Sequence, residues 1–517
     1  MTIAMAGKLL LIGLLGSLTI ANPVTAPDWF LAKRAALSDC LAAAKIETSL
    51  PSTASWAKDT QPWNSRIAPV PAAVVFPTDE KQVSAAIKCA ASAKTKVTTL
   101  GGNRSFASMG FGRNDGTMVI NLVHMKVLTF NEGDQTFTYG GPVTISEAAK
   151  FVWNNHKRAL MHGRCPDVGM TGIAFGGGFG TLSRLHGTVL DDIVAVRAVL
   201  ANGEIVDASA KENPDLFWAV RGAASSVASV LTVTIQTFEP PSTRVVSYTI
   251  GFPKELGDIS LEQNAASLVG LQDWAQGKDN VDNLSIRYKI STNGSLSGFF
   301  YGSTEEFNKV AQTLLAHLPK MAVLSQQELD FWISENYTTP GLAEGTNTER
   351  RYFYITSVTV PSSHPLTLET AKTLLQSTAF APKPAEGVAS GLIDIWGGAL
   401  AKTIKPDTSA WRHDNNLLLV RWDLRGKLST DTFSDATMKT LRENFYKFVD
   451  AYEKDGGVLG GFPNYRDAEW SVAQMAKYLF GSNWSRLLKV KQKLDPEGVF
   501  DSDPQSVSVK AIPGSYR

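Results

Sequence analysis

Between Leu160 and Gly180 the chain reads LMHGRCPDVGMTGIAFGGGFG, and no other stretch limits its fold as much. Cys165-Pro166 is followed by glycines at 169, 172, 176, 177, 178 and 180. A helix core or strand interior does not suit so many glycines, because each costs backbone entropy on ordering. They suit a backbone that turns at positive φ or lies directly against a flat or phosphorylated ligand. The spacing is not G-x-G-x-x-G, and no G-K-[ST] closes the run as a P-loop requires. On spacing alone, the stretch reads equally as a glycine-rich surface loop around a buried thiol.

A chain of 517 residues has room for two or three domains, and 44% hydrophobic content supports sizeable cores. The formal charge of +1 argues against a nucleic-acid or membrane-surface partner. Lys8 followed by the apolar run Leu9–Ile20, with small residues around Ala21, reads as a signal peptide over residues 1–21 and implies secretion. Twelve apolar residues are too few to span a bilayer. The three cysteines, Cys40, Cys89 and Cys165, allow three pairings, with one thiol left over in an oxidising compartment. Sequons at Asn283, Asn293, Asn336 and Asn483 suggest glycosylation.

Residues 22–67 read as a polar helical segment. Ala72–Phe76, Val97–Leu100 and Val119–Leu122 read as short strands, with a helix opened by Thr78 between the first two. Thr144-x-x-Glu147 is a capping box. Asn202-Gly203 marks a hairpin between Ile193–Leu200 and Glu204–Ala208. Val230–Phe238 alternates as a strand, and Pro240-Pro241 marks a boundary, giving an α+β domain over 68–239. Over 240–455, separated strand-like runs at Leu284–Lys289, Leu296–Tyr301, Tyr352–Val360 and Leu417–Asp423 imply an antiparallel sheet backed by helices. Residues 456–517 contain two further helices, Trp470–Leu479 and Asn483–Leu494, the second stopped at Asp495-Pro496.

Several motifs in order carry a family resemblance: GNRSFASMGFGRNDG, HGRCPDVGMTGIAFGGGFG with LHGTVLDDI, NPDLFWAVRGA, and NYRD ahead of YLFGSNWSRLLKVKQKLDPEGVFDSDPQSV. In these the chain resembles the FAD-linked oxidases of the vanillyl-alcohol-oxidase superfamily, in the berberine-bridge and oligosaccharide-oxidase branch. The resemblance covers roughly residues 35–510. It implies a two-domain α+β fold, a PCMH-type FAD-binding domain plus an antiparallel-sheet substrate domain. The C-terminal segment returns to the FAD domain. It implies FAD held by Gly102, Asn103, Arg104, Ser105 and the glycines at 169, 172, 176, 177, 178 and 180. It also implies a Cys40–Cys89 disulfide and a sulfur link from Cys165 to the flavin. A thiolate is the reactive form of such a sulfur.

Departures from the family pattern shape the expected chemistry. Relatives read GGHS in the first glycine loop, with the histidine also bonded to flavin. Here Arg104 takes that place, and arginine stays protonated, so a single link through Cys165 is expected. Arg104 would instead neutralise the flavin pyrophosphate or a reduced-flavin anion. Phe106 replaces a tyrosine, and Phe462-Pro463-Asn464-Tyr465 retains only the second phenol of a Y-x-N-Y pattern. Tyr465, helped by Asp394, is therefore the expected catalytic pair. Trp396, Tyr354 and Trp411 are candidates for the pocket wall, and His162 and His186 for site histidines.

The function implied is a secreted FAD-dependent oxidase. It moves hydride from a small organic substrate, with a secondary metabolite as the leading reading and an oligosaccharide as an alternative, to flavin, with molecular oxygen as acceptor. A redox-neutral isomerase or cyclase on the same scaffold is the alternative. A monomer without metal is expected, since no H-E-x-x-H or C-x-x-C pattern occurs.

Overall fold

The computed structural model describes residues 28–253, 255, 259–339, 342, 349–398 and 404–510, so the expected signal peptide over 1–21 lies outside the described residues. Three sheets and their helices make up the fold. The first contains β1 (Glu47–Ser49), β2 (Ala73–Phe76), β3 (Val97–Leu100) and β4 (Met118–Asn121), in the order β1-β2-β4-β3. Strands β2, β4 and β3 run parallel. Parallel neighbours need a crossover, and the helix Glu80–Ser92 provides it, capped by the Asp79 carboxylate accepting from the Gln82 amide. Its buried face is Val83, Ala86, Ile87 and Ala90. Cys40 and Cys89 form a disulfide that ties the helix Asp28–Ala43 to this crossover.

The segment read as helical over 22–67 holds the helices Asp28–Ala43 and Trp56–Asp59 and also supplies the edge strand β1, antiparallel to β2. Three residues, Glu-Thr-Ser, are too short and polar to show a period of their own. Their strand state comes from the neighbour they pair with.

The second sheet is antiparallel: β5 (Leu128–Asn131), β6 (Thr136–Gly140), β7 (Ile193–Val199), β8 (Ile205–Ser209) and β9 (Ser229–Gln236), ordered β5-β6-β9-β7-β8. The Asn202-Gly203 turn joins β7 to β8 as its sequence indicates, with Gly203 at φ +81°. The Thr144–Glu147 capping box starts the helix Ile145–His156.

The third sheet has seven antiparallel strands: β10 (Arg244–Gly251), β11 (Arg287–Ile290), β12 (Ser295–Tyr301), β13 (Val323–Asp330), β14 (Phe353–Pro361), β15 (Val388–Ile395) and β16 (Asn416–Arg425). Their order is β13-β10-β12-β11-β15-β16-β14. Alternation divides its two faces. Tyr288, Ile393, Val420 and Val358 share one buried core with Leu268, Leu271, Leu374 and Phe445 of the covering helices. The intervening residues Arg287, Asp394, Arg421 and Ser357 lie on the other face.

The tail turns back onto the first sheet. The Val97 amide donates to the Val499 carbonyl at 2.8 Å, and Arg113 grips Asp503 through two hydrogen bonds of 2.7 and 2.8 Å. Lys491, wholly buried, reaches the Ser226 carbonyl, Asp495 and Asp501 at 2.6, 2.6 and 2.8 Å. The expected helix Trp470–Leu479 is a single α-helical turn, Val472–Met475, followed by a π turn over Ala476–Phe480. Among the described residues no helix is long and apolar enough to cross a membrane.

Candidate active site

The loop after β3 and the Cys165 loop cross at Gly102 and Gly169. A Cβ on Gly102 would stand 2.5 Å from the Gly169 Cα, and one on Gly169 would stand 2.7 Å from the Gly102 nitrogen. No side chain fits at either position. Gly177 and Gly178 take φ of +108° and +77°, a left-handed turn that strongly favours glycine. The Asn464 side chain clamps this turn, accepting from the Gly178 amide at 2.8 Å.

Between the crossed loops and the polar face of the third sheet lies a cavity of about 440 Å³, within the roughly 300–1,000 Å³ of small-molecule and cofactor sites. Cys165, Gly102, Asn103, Arg104, Ser105, Gly169, Gly172 and Gly176 all line it. Gly177, Gly178 and Gly180 do not face it. They sit behind the loop against Trp411, Val189 and the His162 carbonyl, shaping the wall and not forming it. The Asn103 amide is also spent on structure, donating to the Gln61 carbonyl at 2.9 Å.

Two features fit a flavin dinucleotide. A Cβ on Gly172 would meet no atom within 4 Å, so this backbone opens to the cavity. Cys165 is a free, partly exposed thiol on the wall. Arg104 Nη2 lies 3.4 Å from the Cys165 sulfur and 3.8 Å from Asp167, with its guanidinium over Trp63. Arg104 therefore stands at the sulfur, the ring end of the expected flavin.

The sheet side of the cavity carries charges in pairs. Arg287 Nε and Nη2 hold both Asp394 oxygens at 2.7 and 2.8 Å. Arg421 Nε and Nη2 hold Asp423 at 3.0 and 2.8 Å, and its guanidinium lies 5.0 Å from the Tyr465 ring centre. Burial acts to raise the Asp394 pKa, but Arg287 and Arg164 outweigh it and hold the carboxyl below its ordinary range. Asp394 is thus an ion whose oxygens are occupied. Among the described residues it makes no hydrogen bond to Tyr465, so the expected direct help to that phenol is not present; Asp394 positions Arg287.

Tyr465 does reach the cavity, carried by the short turn Pro463–Tyr465. It is the only tyrosine lining it among the described residues. Phe462, where relatives carry the first phenol, is 1% exposed and packs against Trp396 and Trp411. Trp396, Tyr354 and Trp411 are core residues and not pocket wall: all three are buried, and Tyr354 donates to Asp467.

Neither candidate histidine faces the cavity. His186 stacks on Phe238, and burial pulls its pKa down to about 4. His162 meets Glu335 at 2.5 Å and the Gly163 carbonyl at 2.7 Å. Burial works against its charge, but Glu335 dominates and raises its pKa. A raised folded-state pKa stabilises the fold fully below the ordinary histidine value of about 6.5 and is lost as pH climbs through the folded value. The melting temperature of Glu335→Gln should therefore trail the wild type most at acidic pH, with the gap narrowing through the alkaline range. A constant gap from pH 5.5 to 9 would exclude this ion pair as the cause.

The sequon residues differ in availability. Asn483 is buried, and its amide nitrogen donates to the Pro406 and Ser409 carbonyls at 2.9 and 3.0 Å, so the glycosylation expected there has no free nitrogen to use. Asn283 is half-buried with its amide on the Tyr301 carbonyl, while Asn293 and Asn336 are half-buried.

Arg164, Arg287, Arg421 and Asn464 escaped the sequence reading. Arg421 and Asp423 did leave a signal: two charges on alternate positions of the otherwise apolar run LLLVRWDL.

Comparison with known proteins gives this geometry a family. The family model described as "FAD binding domain" matches residues 71–209, and that described as "Berberine and berberine like" matches 461–508. A chitooligosaccharide oxidase of Gibberella zeae is 31% identical, over 93% of this chain and 96% of its own length. The chain belongs to the berberine-bridge-like FAD-linked oxidases. It is an FAD-dependent oxidoreductase with a mixed helix-and-sheet PCMH-type fold. A glucooligosaccharide oxidase of Sarocladium strictum is 28% identical, over 96% of this chain and 99% of its own. A solved chitooligosaccharide oxidase superposes with a TM-score of 0.83 at 28% identity, covering 92% of this chain and all of that one. A solved glucooligosaccharide oxidase from Acremonium strictum, described as carrying a 6-S-cysteinyl, 8α-N1-histidyl FAD, also scores 0.83 at 28% identity, covering 92% and 99%.

Proposed function

We propose that this berberine-bridge-like oxidase is secreted and oxidises a sugar hydroxyl, the hemiacetal carbon of an oligosaccharide, with oxygen as final acceptor. The polar sheet face opposite the Cys165 loop carries this reading. A secondary metabolite of mainly apolar surface would meet the Arg287 and Arg421 guanidiniums there, whereas a sugar would find donors for its hydroxyls. Relatives named for chito-, xylo- and glucooligosaccharide oxidation support the same substrate class.

FAD held along Gly102, Gly169, Gly172 and Cys165 would supply the hydride acceptor and the two-electron route to oxygen, with hydrogen peroxide as the product. The protein's part is placement and proton transfer. Tyr465 takes the hydroxyl proton as the carbon gives up its hydride. Arg421 lies over the Tyr465 ring and supplies a counter-charge as the phenol loses its own proton. Arg287, fixed by Asp394, bonds a neighbouring hydroxyl. Cys165 tethers the cofactor through one sulfur link, and Arg104 places a cation at that link in place of a second tether.

The test is oxygen uptake and peroxide release against a panel of oligosaccharides and aromatic alcohols. Equimolar oxygen consumption with the sugars supports the proposal. Turnover without oxygen would favour redox-neutral chemistry instead, and oxidation of the aromatic alcohols alone would remove the sugar assignment.

A further inference from the structure

Tyr465 enters the cavity from a short strap, residues 460–465, and the strap is pinned to the third sheet at both ends. Gly460 exchanges two backbone hydrogen bonds of 2.9 Å with Thr359 on the edge strand β14. The Ser357 hydroxyl of the same strand donates to the Tyr465 carbonyl at 3.0 Å. Between these pins the Trp411 indole donates to the Gly461 carbonyl at 2.9 Å, and the Tyr465 amide closes the turn on the Phe462 carbonyl at 2.9 Å. The phenol is therefore fixed to the sheet wall of the cavity.

The glycine loop after Cys165 forms the other wall, with Gly172 and Gly176 lining it. Among the described residues, the hydrogen bonds between the strap and residues 172–178 all pass through Asn464. Its Oδ1 accepts from the Gly178 amide at 2.8 Å, and its Nδ2 donates to the Gly172 carbonyl at 3.4 Å. Its backbone amide donates to the Gly176 carbonyl at 3.3 Å. A planar amide suits this task, because it holds an acceptor and a donor at a fixed separation. The loop in turn leaves room for it. Gly176 has φ −97°, which any residue can adopt, yet a Cβ there would stand 2.6 Å from the Asn464 Cγ.

We propose that Asn464 is a positioning residue for the reaction: it keeps the Tyr465 phenol in register with the glycine loop across the seam between the two walls. This rests on the reading of Tyr465 as the base and deepens it. The carbon that gives up hydride and the hydroxyl that gives up its proton are bonded to each other in the substrate. Hydride acceptor and phenol must therefore stand at one fixed separation, although one belongs to the loop and the other to the sheet. Asn464 adjoins Tyr465 in the chain, so any slip of strap against loop moves the phenol. A misplacement of about 1 Å is enough to cost on the order of 100-fold in rate.

The experiment is a double-mutant cycle of Asn464→Ala with Tyr465→Phe on the flavin-loaded enzyme, read by oxygen uptake with the best substrate of the panel above. Titration with the oxidised product, followed by flavin difference absorbance, gives binding apart from turnover. Asn464→Ala should lower kcat by roughly 10- to 100-fold, with KM and product affinity within about 3-fold of wild type. In the Tyr465→Phe background the same change should cost less than about 3-fold, because the group it positions is gone. Asn464→Asp keeps the acceptor for the Gly178 amide and should recover most of the loss. Additive losses, or an Asn464→Asp enzyme as slow as Asn464→Ala, would overturn the inference and leave the base assignment standing. So would a loss in Asn464→Ala fully matched by its melting temperature and flavin content, since that is an effect on the fold. Tyr465→Phe at near wild-type kcat would sink the base assignment and this inference with it.

Discussion

Cys165→Ala should release all of its flavin into the supernatant on acid precipitation, whereas the wild-type pellet should stay yellow. The expectation follows from the count of available tethers. Cys40 and Cys89 are bonded to each other, so Cys165 is the one free thiol. It lies on the cavity wall with the Arg104 guanidinium at its sulfur. Arg104 stands where the resemblance puts a histidine, and an arginine offers no second link. In a relative with a 6-S-cysteinyl, 8α-N1-histidyl FAD, loss of the cysteine would leave the histidine link in place. Here loss of the sulfur leaves nothing. The variant should still bind FAD reversibly, because the crossed loops at Gly102 and Gly169 are untouched. Intact mass should show one FAD on the wild type and none on Cys165→Ala. A yellow pellet from Cys165→Ala would mean a second tether, and a colourless wild-type pellet would mean no tether at all.

What could be read from the chain followed from how local each signal is. The capping box at Thr144 and the Asn202-Gly203 hairpin are set by neighbours in sequence and form as written, while the crossover helix starts one residue later than read, capped by Asp79 and not by Thr78. The cofactor loops were legible because glycine at 102 and 169 has a steric reason that no other residue can satisfy. Strands β13 and β15 were not. VLSQQELD has no apolar alternation, being an edge strand largely exposed to solvent, and VASGLIDI carries a glycine where Trp422 and the Arg421 carbonyl press close. The sheet-side charges were hidden for a related reason. Arg287 and Asp394 are 107 residues apart and meet only through the register of β11 on β15. The family pattern put Asp394 beside a phenol; here Arg287 takes both of its oxygens, and that could not be read without knowing what lies across the strand.

Tyr465→Phe should lower kcat by roughly 10²- to 10⁴-fold, the usual contribution of a positioned general base, with a much smaller change in KM. The substitution removes one oxygen and keeps the ring, so the contacts with Phe106, Phe462 and the Arg421 guanidinium should persist. The tether through Cys165 should be unaffected, which the acid-pellet colour checks in the same preparation. No other tyrosine among the described residues lines the cavity to take over, since position 462 is a buried phenylalanine and position 106 is also phenylalanine. The split between kcat and KM separates a base from a packing residue. Asp394→Asn should act differently from Tyr465→Phe: it leaves Arg287 without its carboxylate, so KM should rise with kcat largely retained. A Tyr465→Phe enzyme within a few-fold of wild-type kcat would move the proton to another acceptor. The nearby arginines are poor ones, being already protonated, so water or the substrate itself would then have to carry it.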